Sequence, residues 1–277
     1  MPVATVQVST TPAEALGLEE VKALILKKVP AVQLIVHLGT HQKPFTYYLL
    51  VLIADGSKAI EHEVSNTIED HCKHLVSVMA LVHKTGSAKK GISEGNTFWN
   101  NTMKSSKLIY QQEGLHLQEH QDVPKEDRQE IAKYHRQRWG GQAQEFLKGA
   151  KRYYQDGNHK LAAFLLHQAV ESALSGVIRA AMGYRIAIHN LSRMLRLTLL
   201  FTEELLAVFE LHTEEGKQSF ALLQNAYSHA RYRDGFEPGE EAVKMLLSRV
   251  ETLLGKTEDI YERYIPITVL QEPELHN

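Results

Sequence analysis

Two short stretches of the chain gather residue types that handle phosphate and protons. Arg231 and Arg233 stand in the run HARYRDGF, with His229 and Tyr232 beside them. A second stretch, from Arg179 to Arg196, holds Arg179, Arg185, Arg193 and Arg196 without an acid, and contains His189 and Asn190. Guanidinium groups pair bidentately with phosphate oxygens, so Arg185, His189, Arg193, Arg231 and Arg233 are candidate ligand-binding residues and a nucleotide or RNA is the ligand they suit. The competing reading is that these side chains are solvated, or pair with Glu171, Asp234 and Glu237. Cleavage of RNA asks for more: an Arg to offset charge at phosphorus and a His to move the proton of a 2′-hydroxyl. A nuclease built here would draw on Arg231, His229 and Tyr232, with Arg233 in support.

Other polar residues read better as structure. Gln168 and Glu171 fall in the most apolar helical segment, where an unpaired carboxylate is costly, so each is expected to be a buried polar group with a partner. Arg231 is the partner expected for Glu171. Asn190 sits where a helix begins and reads as its N-cap, with the His189 imidazole holding the loop before it. His62, His71, Cys72 and His74 invite a zinc reading, but a structural site needs four ligands at recognisable spacing, and Glu61 or Glu63 would have to complete it. No metal and no cofactor are expected.

The elements that must position these residues differ between the two halves. Short apolar runs at Val32–Leu38, Tyr47–Ile53 and Leu75–Val82 suit strands buried on both faces. Helical segments at Glu19–Val29 and Lys58–His71 alternate with them, which predicts a small α/β domain over residues 19–115 after a tail at 1–18. A polar linker or bridging helix at 116–139 separates it from a helical half. There the periodicity predicts helices at Gln142–Gln155, His159–Met182, His189–Phe201, Thr202–Arg231 with a possible break, and one opened by Pro238 that runs to Tyr264. In the second of these, Leu161, Leu165, Ala169, Ala173 and Val177 follow one face and Leu166, Val170, Leu174 and Ile178 widen it, as in a central bundle helix. Tyr153, Tyr154, Tyr227, Tyr232, Tyr261 and Tyr264 are expected to pack that bundle.

Three ordered elements, HKLAAFLLHQAVESAL (His159–Leu174), HNLSRML (His189–Leu195) and FALLQNAYSHARYRDGF (Phe220–Phe236), resemble the HEPN domain over about residues 140–256. The resemblance implies an all-α up-and-down helical bundle over 140–266, followed by a tail at 267–277. It also implies a homodimer formed through the helices, a possible protein partner, and a toxin–antitoxin or defence setting. The resemblance implies, for HEPN ribonucleases, an Arg and a His separated by four to six intervening residues. After Arg231 the chain reads Tyr-Arg-Asp-Gly-Phe-Glu-Pro, with no His within reach.

HEPN domains commonly accompany minimal nucleotidyltransferases, and the N-terminal half resembles a degenerate one. Leu38-Gly39-Thr40 is similar to the phosphate-holding turn, and Thr46 and Tyr48 stand where the family's two metal-binding carboxylates would be. Val76–Ala80 offers no third acid. Hydroxyls hold Mg²⁺ poorly, so nucleotidyl transfer is not expected. Gly95–Gly114 resembles the helix and terminal strand that close such domains.

The composition fits this two-domain, α+β reading. A chain of 277 residues has room for two domains, and 43% hydrophobic with 23% charged residues excludes disordered and fibrous classes. The single cysteine excludes a disulfide framework. Tyr47–Ala54 is too short an apolar run to span a bilayer, and Met1–Ala15 lacks a signal-peptide profile, so a cytoplasmic protein without membrane contact is expected. A net charge of −2 gives no global attraction to nucleic acid. Of the 15 histidines, only His159, His167, His189 and His229 fall in the HEPN-like elements. Together these features predict a non-catalytic regulatory module that binds nucleotide, RNA or protein; the alternative is a metal-independent endoribonuclease with a non-standard site.

Overall fold

The computed structural model describes residues 12–105, 107–117, 125–187 and 189–264. The expected C-terminal tail, most of the N-terminal tail and linker positions 118–124 lie outside them. Residues up to 117, with 199–201, cluster as one unit; 125–198 and 202–264 form another.

The first unit is built on a four-stranded sheet ordered β3-β2-β1-β4. Strand β1 (Val32–Gln42) and β2 (Phe45–Ile53) form an antiparallel hairpin, and β3 (Ser77–Lys84) runs parallel to β2 from Thr46↔Ser77 to Ile53↔Lys84. The parallel pair needs a crossover, which α2 (Glu61–Cys72) supplies. A short β4 (Lys107–Gln111) closes the other edge against β1. Tyr47, Leu49, Val51 and Ile53 alternate onto one face of β2. There they meet Leu18, Val21 and Ile25 of α1 (Pro12–Lys28) and Val64, Ile68 and Cys72 of α2. Each such large apolar side chain contributes about 1.5–3 kcal/mol on burial.

Side chains of α2 also serve the outer edge of β3. Ser65 donates its hydroxyl to the Ala80 carbonyl at 2.8 Å, the Glu69 carboxylate accepts the Ala80 N–H at 3.0 Å, and Glu61 accepts the Lys84 N–H at 2.8 Å.

Several boundaries differ from expectation. α1 begins inside the expected tail, and β1 continues through Gly39 to Gln42. Gly39 marks a register shift in the strand rather than a phosphate-holding turn, because a residue without a side chain relaxes easily into a bulge. The reversal falls instead at Lys43-Pro44. Thr46 and Tyr48 are buried, and the Thr46 hydroxyl donates to the Pro44 carbonyl at 3.2 Å. α3 (Thr85–Ser93) was not foreseen, whereas α4 (Thr97–Ser105) and β4 occupy the segment expected to close the domain.

The second unit is all-α. Helix α5 (Lys125–His135) lies in the stretch read as a linker or bridging helix and continues through a π-helical turn, Arg136–Gly140, into α6 (Gly141–Gln155). α7 (His159–Met182) is the core helix: Asn158 caps it by accepting the Leu161 N–H, and Gly183, at φ 69°, ends it in the left-handed conformation. By length and composition α7 could cross a membrane, but 72% of its apolar window is buried in the protein. α6, α10 (Glu214–Tyr232) and α11 (Glu240–Tyr264) pack against it. The expected third helix is α8 (Leu191–Thr198), and the expected fourth breaks into a single turn, α9 (Glu204–Ala207), and α10, which Thr213 caps. Helix α11 starts at Glu240, just after Pro238.

Candidate functional site

The polar residues of α7 meet the connection before α8 and the last turns of α10. Glu171 projects from α7, and its Oε1 lies 2.6 Å from Nδ1 of His189. On its other side the Nε2 of His167 approaches Oε2 at 3.4 Å, too poorly aligned for a good hydrogen bond. His167 is itself buried and uses Nδ1 on the Leu223 carbonyl of α10 at 3.0 Å. Gln168 reaches Oε2 from one turn earlier, at 3.5 Å. Burial alone pushes the Glu171 carboxyl up, but the two facing imidazoles outweigh it and hold the group below the ordinary carboxylate value. The carboxylate is therefore ionised at neutral pH. The pairing with Arg231 expected from the sequence is not formed, because Glu171 is already taken by two histidines.

Tyr227 of α10 forms the floor of this region. The His189 ring stacks on it at 5.5 Å with only 10° between planes, and the His167 ring at 5.3 Å. Arg231, one turn further along α10, places its guanidinium 4.0 Å from the Tyr227 centroid and anchors Nε on the Tyr227 carbonyl at 3.2 Å. His189 is 63% exposed, so with Nδ1 held by Glu171 its Nε2 is the nitrogen left for solvent or a ligand.

The remaining predicted residues fall in several places. Asn190 caps α8 as expected, accepting the Arg193 N–H at 2.9 Å, although it is exposed rather than buried. Gln168 and Glu171 are half-buried. Arg193 lies half-buried in the first turn of α8, and Arg233 is exposed at the C-cap of α10. His229 turns its ring edge-on to Phe236 at 5.5 Å, and Tyr232 is 78% exposed, with only the Arg231 guanidinium over its ring at 4.9 Å. Tyr232 and Tyr153 are thus exposed and do not pack the core as expected, while Tyr261 does. Arg185 is exposed, and its charge acts on Arg179. Sequence reasoning missed His167 and Tyr227 as members of the site; both lie in the motif runs, at helical positions that read equally well as packing.

In the first unit, α2 ends at Cys72, so His71 and His74 do not share a helix face. Burial, then Glu69, pushes the buried Cys72 thiol up to about 11, which leaves it unreactive. Among the described residues no group of three or more metal-ligating side chains converges.

The profile of the HEPN domain matches residues 136–260. The helical unit carries a HEPN domain. The matched span opens at the π-helical turn and closes in α11, so it takes in every residue around Glu171. Among solved structures, the chain is similar to an archaeal HEPN homologue at 21% identity, over 45% of this chain and 96% of that one, with a TM-score of 0.33. It is also similar to a nucleotidyltransferase-like protein from Exiguobacterium sibiricum 255-15 at 13% identity, over 90% of this chain and 78% of that one, with a TM-score of 0.30. The curated proteins give no match.

Proposed function

We propose that the HEPN domain is a non-catalytic module that binds the phosphate backbone of RNA or a nucleotide through Arg231 and His189. The observation that carries this is the Tyr227 ring, which holds the Arg231 guanidinium at 4.0 Å and the exposed His189 ring at 5.5 Å. Two phosphate-seeking groups are thereby presented on one aromatic support, and each is held by a second contact that lowers the entropy lost on binding. The first unit, in this reading, is a degenerate nucleotidyltransferase-like domain whose carboxylate positions are filled by the buried Thr46 and Tyr48.

One observation favours a second reading. A His with Nδ1 on a carboxylate at 2.6 Å and an exposed ring is oriented as a general base, and the Arg231 guanidinium lies over the same Tyr227 ring. Cleavage would then use Glu171, His189 and Arg231, a different set from His229 and Tyr232.

Anisotropy with a labelled single-stranded RNA, followed by a gel of the same samples in EDTA, separates the readings. Saturable binding that weakens at least tenfold in Arg231→Ala, with intact RNA, is expected. Cleavage that disappears in His189→Ala would overturn the non-catalytic reading in favour of the second, and absence of binding would overturn both.

A further inference from the structure

The π-helical turn before α6 carries two arginines with different fates. Arg136 gives its guanidinium to Glu258 of α11, with Nε at 2.7 Å and Nη2 at 2.6 Å from the same carboxylate oxygen. Arg138, two residues on, meets no carboxylate among the described residues. It lies over the Trp139 indole at 5.5 Å and the Tyr134 ring at 6.0 Å, and donates to the Tyr134 hydroxyl at 2.7 Å. From the last turn of α7, Arg179 lies over the same indole at 4.9 Å, and its Nε is buried without a hydrogen-bond partner. Arg185, just past the Gly183 cap, is exposed and close enough to act on Arg179. His135, at the end of α5, adds a buried Nδ1 that also has no partner.

Burial, then Arg185 and Arg138, presses the Arg179 pKa below the usual arginine value. Burial, then Arg179 and Arg138, holds His135 down to about 4. Among the described residues none of these three guanidinium groups forms an ion pair, and the charges that act on Arg179 are the other two guanidinium groups. Convergent like charges with an orphaned N–H are costly unless something anionic completes them. Three planar donor forks suit the oxygens of a phosphoryl group, and π-helical turns recur at functional sites. The indole is occupied by two guanidinium groups, so the cluster is suited to a phosphate and not to stacking a base.

We propose that Arg138, Arg179 and Arg185 form a binding site for a phosphoryl group, either of a free polyphosphate or of an RNA backbone. It shares no residue with the Tyr227 face and does not rest on the function proposed for that face. The test is calorimetric titration of the full chain with tripolyphosphate and, in a second arm, with a short single-stranded RNA, each against sodium chloride at matched ionic strength. Arg138→Gln and Arg185→Gln alter exposed side chains and leave the fold intact.

A saturable site that each substitution weakens at least tenfold, and that Arg231→Ala leaves in place, is expected. Weakening in the tripolyphosphate arm assigns the site to free polyphosphate, and weakening in the RNA arm alone assigns it to the backbone. Absence of saturable binding in both arms would overturn the inference. So would an equal effect of sodium chloride, affinities unchanged in both Gln variants, or a site abolished by Arg231→Ala instead.

Discussion

At the scale of single residues, Glu171 gathers several polar partners, since two histidines from different elements and Gln168 all address one carboxylate. Its pKa is depressed in the fold, so its contribution to stability is present above the unfolded value of about 4.5 and is lost as pH falls through the folded value. Glu171→Gln should flatten the drop in melting temperature below pH 4.5 and cost about 1–3 kcal/mol at neutral pH, because it leaves the histidines with a weaker acceptor. A melting temperature at pH 7 equal to that of the parent would contradict this. His135 titrates in a different window. Its folded value of about 4 lies below the ordinary 6.5, so the fold favours the neutral ring; stability is complete above pH 6.5 and declines as pH falls toward 4. Thermal melts of His135→Gln should show a shallower decline across that window. Part of the decline will persist, because burial also lowers His83 against the opposing pull of Glu61.

At the scale of elements, α7 works because it lets its neighbours come very close. A Cβ at Gly176 would meet the Trp139 Cβ at 2.8 Å and collide with the Tyr261 hydroxyl, so glycine is what allows the π-helical turn and α11 to seat against α7. Gly176→Ala should therefore destabilise the protein despite the better helix propensity of alanine, by about 1–3 kcal/mol. A raised melting temperature would show that the turn can yield. The same helix shows what the sequence made legible. Its span, its Asn158 and Gly183 ends and the Asn190 cap of α8 follow from residues a few positions apart, and local pattern reports them directly. The partner of Glu171 was not legible, because His189 reaches it from beyond the Gly183 cap, where helical periodicity carries no information. The π-helical turn was invisible for a related reason: one extra residue in a turn leaves no period of its own. Over α5 a polar composition is compatible with a linker and with a bridging helix alike, so nothing in it singles out Arg138.

At the scale of the whole molecule, both units mix local and distant contacts. The most extensive contact in each joins sequence neighbours, β1 with β2 and α6 with α7, whereas β4 against β1 and α11 against α7 bring together residues far apart in the chain. Contacts between distant residues are slower to form, so pulse-labelled hydrogen exchange during refolding should protect the β1–β2 hairpin and the α6–α7 pair before β4 and α11. Simultaneous protection of all of them would contradict that order. The side chains that α2 lends to β3 matter for how copies of the chain behave together. A strand with a bare outer rim is a template for any extended segment, including the same strand of another molecule. Ser65, Glu69 and Glu61 already occupy two rungs of that rim, and two of them bring negative charge that repels a second copy. Replacing both glutamates with alanine should shift the protein toward aggregation on mild heating, visible as an earlier onset of light scattering. These side chains thus guard solubility as well as the fold.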